Sequence, residues 1–193
     1  MVLTDLKKEL EKLDKNKLID LITDLYKKNK SAKAFLDFYV NPDEREVLEK
    51  YRDKVFEVFY PRRGNQVKLK EGEKAISDFK KLGTSATSLA DLMLFYVETG
   101  VKMTSDSGSN DEAFYASMEL TYDAALKLMK KKNLLEGFAA RSAKVVSDTG
   151  EIDWGLHDYF TDTHADFFAD FLGEVIDEET AKEKGKVIQL PLQ

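Results

Sequence analysis

Large apolar residues recur at three- and four-residue intervals along most of the chain, which is the period of amphipathic helices. Leu3, Leu6, Leu10 and Leu13 predict a short opening helix, and Leu18, Leu21, Ile22 and Leu25 a second. After a break at Asn29 and Ser31, Phe35, Phe38 and Tyr39 form a third stripe. Asn41-Pro42-Asp43-Glu44 reads as a start signal, with Asn41 as the expected cap and Pro42 at the first helical position, where it has no N–H to lose. The helix that follows carries Val47, Leu48, Tyr51, Val55, Val58 and Phe59 on one face and stops at Pro61. Ile76, Phe79 and Leu82 resume the pattern as far as Gly83.

The apolar residues of Ser88–Met103 cover roughly 200° of the helix circumference, so this helix is expected to touch neighbours on several sides. Thr104–Asn110 has the composition of a surface loop, and Ser109-Asn110-Asp111-Glu112 fits a capping box for a helix through Phe114, Met118, Tyr122, Leu126 and Met129. Leu135 to Val146 predicts another, ending near Gly150. Val67-Lys68-Leu69 alternates, but three residues are too few for a strand. The expectation is an all-α single domain of about eight or nine helices. They pack as helical hairpins, either in an irregular bundle or in a short HEAT- or armadillo-like superhelix.

Trp154–Leu172 is the most informative stretch. Trp154, Leu156, Phe160, Phe167, Phe168, Phe171 and Leu172 share an arc of roughly 160°, and Asp158, Asp162, Asp166 and Asp170 lie opposite. A helix with so heavy an aromatic keel is expected to be a centre for the packing of the rest. His157 and His164, the only histidines, fall on the apolar side.

Composition narrows the classes. The 193 residues, 42% hydrophobic and 34% charged, suffice for one core, expected over 1–173. Residues 174–193 are expected to be a tail, partly disordered or packed across the domain. A net charge of −6 makes nucleic acid an unlikely partner. The absence of cysteine excludes disulfides, thiol nucleophiles and thiolate metal sites. Neither a signal-peptide core in residues 1–13 nor a run of ~20 apolar residues is present, which predicts a cytoplasmic location and no membrane span.

Three helix ends carry related words: Leu25-Tyr-Lys-Lys-Asn29, Phe79-Lys-Lys-Leu-Gly83 and Met129-Lys-Lys-Lys-Asn133. Asn and Gly tolerate the left-handed cap, and lysines in the last turn meet the negative end of the helix dipole. The recurrence suits a helical-pair repeat, but unrelated lysine-rich helices that end well are the simpler reading.

Four constellations bear on chemistry. His157 and His164, with Asp153 four residues before the first, could hold a metal or small ligand with help from a facing helix. Seven residues span about 10.5 Å of axis, however, so both rings would have to lean inward, and two ordinary half-buried imidazoles are the simpler expectation. Asp158, Asp162, Asp166 and Asp170 form an acidic ladder whose like charges repel slightly; a solvated face or a basic partner would accommodate it. Arg62, Arg63, Lys68 and Lys70, in a loop without acids, read most simply as a solubilising loop, and otherwise could meet an anion, a partner or the ladder of a second copy. Asp106–Glu112 is oxygen-rich but lacks the EF-hand spacing. No motif points to a cofactor or a covalent nucleophile.

The segments FLDFYVNPDE (35–44), DFKKLGTSATSLADLMLFYVETGVKMT (78–104), NDEAFYASMELTYDAALKLMKK (110–131) and IDWGLHDYFTDTHADFF (152–168) resemble a bacterial all-helical family known only as a domain of unknown function. That resemblance supports the helical reading and implies no activity, cofactor or site residue. The leading functional expectation is therefore a non-catalytic protein-interaction module, acting through a protein partner or self-association. The competing one is a small-ligand or metal site at His157 and His164, with enzymatic action left open.

Overall fold

The computed structural model describes residues 2–64, 66–108, 111–152 and 155–169. Eight helices follow in order: α1 (Leu3–Leu10), α2 (Lys15–Lys28), α3 (Lys30–Val40), α4 (Glu44–Phe59), α5 (Leu69–Lys81), α6 (Ala86–Ser107), α7 (Glu112–Lys131) and α8 (Leu135–Asp148). A ninth, α9, occupies 156–169. No strand occurs among the described residues. The chain is an all-α single domain.

Local chemistry explains where the helices start. Asp14, Ser85 and Asp111 each turn a side-chain oxygen onto the amide three residues on, at 3.0, 3.1 and 2.9 Å. Asn29 closes α2 and opens α3: its amide donates to the Leu25 carbonyl, and its Oδ1 accepts from Ser31 and Ala32. The cap of α4 is Asp43, not Asn41, because Asp43 Oδ1 takes the Glu46 amide at 2.9 Å. Pro42 consequently precedes the helix instead of opening it.

Helix α6 runs further than its composition suggested. Residues 104–107 are helical because Thr104, Ser105 and Ser107 donate their hydroxyls to the carbonyls of Gly100, Val101 and Met103, four residues back. Loop-like composition is thus absorbed into the last turn. At the helix ends, Gly83 and Asn133 take the left-handed conformation with φ of +77° and +55°. Asn29 does not, with φ of −126°, because the next helix begins at the following residue.

The organising element is α6. It buries eleven of its 22 residues and touches α4, α5, α7 and α8. Adjacency of α4, α6 and α8 makes one layer, against which α5 and α7 are seated. Tyr96 of α6 meets Phe59 of α4 edge-on at 4.9 Å, and α5 approaches Tyr96 closely because Gly72 has no side chain. A Cβ there would lie 2.5 Å from the Tyr96 ring.

Helix α9 is the aromatic keel, and it packs on the body by one face. Leu156, Phe160 and Phe168 are buried, Phe167 is half-buried, and Phe160 stacks on Tyr122 of α7 at 4.4 Å. It is a lid on one side of the core; the wider apolar surface of α6 takes the central role expected of it. Trp154, Phe171, Leu172 and the expected tail from 174 lie outside the described residues.

Candidate functional site

The two imidazoles sit on α9 as their spacing required, and they do different things. His157 Nδ1 lies 3.2 Å from the Val146 carbonyl and 3.1 Å from Thr149 Oγ1. A carbonyl only accepts, so the ring presents its Nδ1–H to the carboxyl end of α8 and α9 is pinned there. His164 stacks on Phe168, with ring centres 4.3 Å apart and planes within 14°. Its Nε2 is buried with no hydrogen-bond partner among the described residues, and burial pushes the ring's pKa below the ordinary 6.5. His164 is therefore neutral near pH 7. Asp153 lies outside the described residues. Among those described, no three His, Asp or Glu side chains gather closely enough to hold a metal ion.

Asp158, Asp162 and Asp166 face water on the outer side of α9, while Asp170 lies outside the described residues. The basic loop is more informative. Arg62, Arg63 and Lys68 line a groove of about 540 Å³ together with Lys54 of α4 and Lys74 of α5, whereas Lys70 is exposed and not part of its wall. Arg62 pairs with Glu57 at 2.6 Å and Lys68 with Glu71 at 3.2 Å. Periodicity gave no sign that Lys54 and Lys74 would join the loop. They come from different helices, and only the α4–α5 packing brings them together.

Two further features escaped sequence reasoning. One is an ionic network across the helical layer, in which Arg141 of α8 donates to Glu98 at 2.6 and 2.7 Å and to Asp91 at 2.7 Å. Arg52 of α4 binds the other oxygen of Asp91. These half-buried groups tie α4, α6 and α8 together, and every charge in the set has a partner. The other is the surface of the first three helices. None of α1, α2 or α3 has a buried residue. Ten of the thirteen exposed large apolar residues among those described belong to residues 2–40. Between α2 and α3, Ile22, Tyr26, Leu36 and Val40 line an open groove of about 630 Å³.

The match to known proteins covers nearly all of this architecture: residues 1–168, from the exposed first helices through α9, fit the family of unknown function DUF6155. The chain belongs to that family. No curated protein and no solved structure matches it. Membership spans the arm, helices α1–α3, and the body, helices α4–α9, alike, and it carries no activity with it. No helix among the described residues is long and apolar enough to cross a membrane.

Proposed function

We propose that this protein is a protein-interaction module that works through the apolar face of its first three helices, and that the occupant of that face is a second copy of the chain. The observation that carries the reading is the uncovered surface of residues 2–40, where ten large apolar side chains each keep 42–81% of their area in water. Contiguous apolar patches above a few hundred Å² are rare on monomers. Seven of them belong to the packed pair α2–α3, where they offer the kind of surface that a standard interface of ~800 Å² per partner buries.

Geometry favours self-pairing. Two antiparallel helices share a single contact and have no interior, so the residues on their remaining apolar sides need an outside cover. Two hairpins placed face to face form a four-helix bundle, in which those residues become a core. Twofold dimers are the commonest closed assembly. The rim suits it as well: residues 14–37 carry six lysines and four aspartates, so the surface offers both signs to its twin.

Light scattering tests this. The expected result is a species of twice the 22.0 kDa chain mass, converted to a monomer of unchanged helical circular dichroism by Ile22→Asp or Leu25→Asp. A wild-type chain still monomeric at about 100 µM defeats the proposal, since an interface weaker than that contributes under ~6 kcal/mol. A face that instead takes the protein onto lipid vesicles defeats it too. A ligand site at His157 and His164 is the less supported alternative, because His157 Nδ1 is already engaged by the α8 carbonyl.

A further inference from the structure

The junction between the arm and the body holds a cavity of about 220 Å³ where α3, α4 and α5 meet. Its wall includes Lys30 from the start of α3, Lys54 from α4, and Lys74 and Lys81 from α5, with Asp78 as the single carboxylate. Asp78 is committed: Lys74 binds one of its oxygens at 2.7 Å and Lys81 the other at 3.3 Å. Lys30 and Lys54 meet no carboxylate within salt-bridge distance among the described residues. Lys54 instead holds its ammonium 3.7 Å from the centre of the Tyr51 ring.

The same cavity shares Tyr51, Lys54, Lys74 and Asp78 with the groove of the basic loop, so the two are continuous. Along both, seven cations face three carboxylates. In a chain of net charge −6, so local an excess of positive charge is costly unless something negative neutralises it. Partial burial holds Lys54 below the ordinary lysine pKa; Asp78 pulls it up, and Lys74 and Lys50 push it further down. An arriving anion would offset the mutual repulsion of these ammonium groups, which stay open to solvent.

We propose that this lysine-lined cavity binds a small phosphate-bearing ligand, with Lys54, Lys74, Lys81 and Lys30 donating to the phosphate oxygens and the Arg62–Arg63–Lys68 groove receiving the remainder of the molecule. Volume supports the small size, since 220 Å³ admits one or two phosphate groups and no helix or strand of a partner. Lysine is suited to the task as a compact, mobile point charge with three donors. Cations supplied by three helices make the site depend on their packing, so an unfolded chain lacks it.

Calorimetric titration of the full chain with pyrophosphate at low ionic strength tests the proposal. The expected result is saturable micromolar binding, weakened about tenfold by Lys54→Gln and again by Lys74→Gln, as loss of one charged hydrogen bond requires. Lys127→Gln, on the exposed side of α7, is the control and should leave affinity within about twofold. Parallel titrations with inorganic phosphate and with ADP distinguish the sources. Tighter binding of ADP assigns the groove to an organic portion, and equal or tighter binding of pyrophosphate assigns the site to inorganic phosphate. No heat from any of the three ligands up to about 5 mM, where the free energy of binding falls to ~3 kcal/mol, overturns the proposal. Affinity that survives both lysine substitutions, or a preference for single-stranded nucleic acid over pyrophosphate, overturns it as well. Ile22→Asp leaves this site intact, so its outcome and that of the dimer test are separable.

Discussion

Helices α2 and α6 make an instructive pair. Each carries a run of large apolar residues flanked by polar ones, and in α2 the segregation of the two is the cleaner. Yet α2 buries no residue and α6 buries eleven. Helix α6 is apolar most of the way round and is enclosed by α4, α5, α7 and α8, whereas among the described residues the principal neighbour of α2 is α3. An amphipathic pattern states which side of a helix needs cover. It leaves open whether the same chain supplies that cover.

The contrast can be tested by removing side chains from each region. The largest effect is expected in α6: Leu94→Ala, at a fully buried position, should cost about 3–5 kcal/mol by urea unfolding. Leu21→Ala in α2 should stay within about 0.5 kcal/mol at concentrations low enough to keep chains apart. Equal losses at the two positions would remove the distinction between arm and body. A concentration-dependent loss confined to Leu21→Ala would sharpen it, since only a shared interface responds to mass action.

Next in size is the ionic network of the body. Arg141→Ala leaves Glu98 and Asp91 short of their main partner and should cost about 2 kcal/mol, less than a fully buried pair because these groups are half-exposed. No pairing in the arm has this character. Its ion pairs, such as Lys28–Asp24, join neighbouring turns of one helix in open water. Lys28→Ala should accordingly be nearly silent in the same assay.

Glycine substitutions separate crowded from open helix surface with opposite signs. Gly72→Ala drives a methyl into the Tyr96 ring and should destabilise by about 1–2 kcal/mol even after the gain in helix propensity. Gly137→Ala in α8 meets nothing within 4 Å and should stabilise by up to about 1 kcal/mol. Thermal melts would show both.

The smallest expected effect concerns pH. His164 is held neutral by burial, so below its ordinary value of 6.5 the unfolded chain binds a proton that the folded chain resists. Stability should therefore decline as the pH falls from 6.5 towards the folded value and level off below it. His164→Phe should flatten the melting temperature across that window. A wild-type profile that rises on acidification would contradict the placement of this ring.

Much of the architecture could be read from residues alone, because its causes are local. The left-handed ends at Gly83 and Asn133 and the inward aromatic face of 156–169 follow from neighbours within one or two turns, whereas α7 is capped by Asp111, two residues beyond the Ser109 that opens the capping-box pattern. Where local reasoning failed, a nearby competitor decided the matter. Asp43 takes the Glu46 amide and so sets the start of α4 two residues beyond Asn41, and hydroxyls of residues 104–107 turn back onto the helix. The imidazole positions were legible; what each ring touches was not, since Val146 belongs to another helix.

Spacing along the chain determined which residues are helical and which way each helix faces, for hydrogen bonds and side chains three or four residues apart interact before any tertiary contact forms. Tertiary structure alone decided that α6 is enclosed and α2 is left bare, that Arg141 reaches Asp91 fifty positions away, and that lysines of three helices surround one cavity. Those outcomes depend on how helices cross, and a crossing is set by the shapes of two surfaces together, which neither segment encodes by itself.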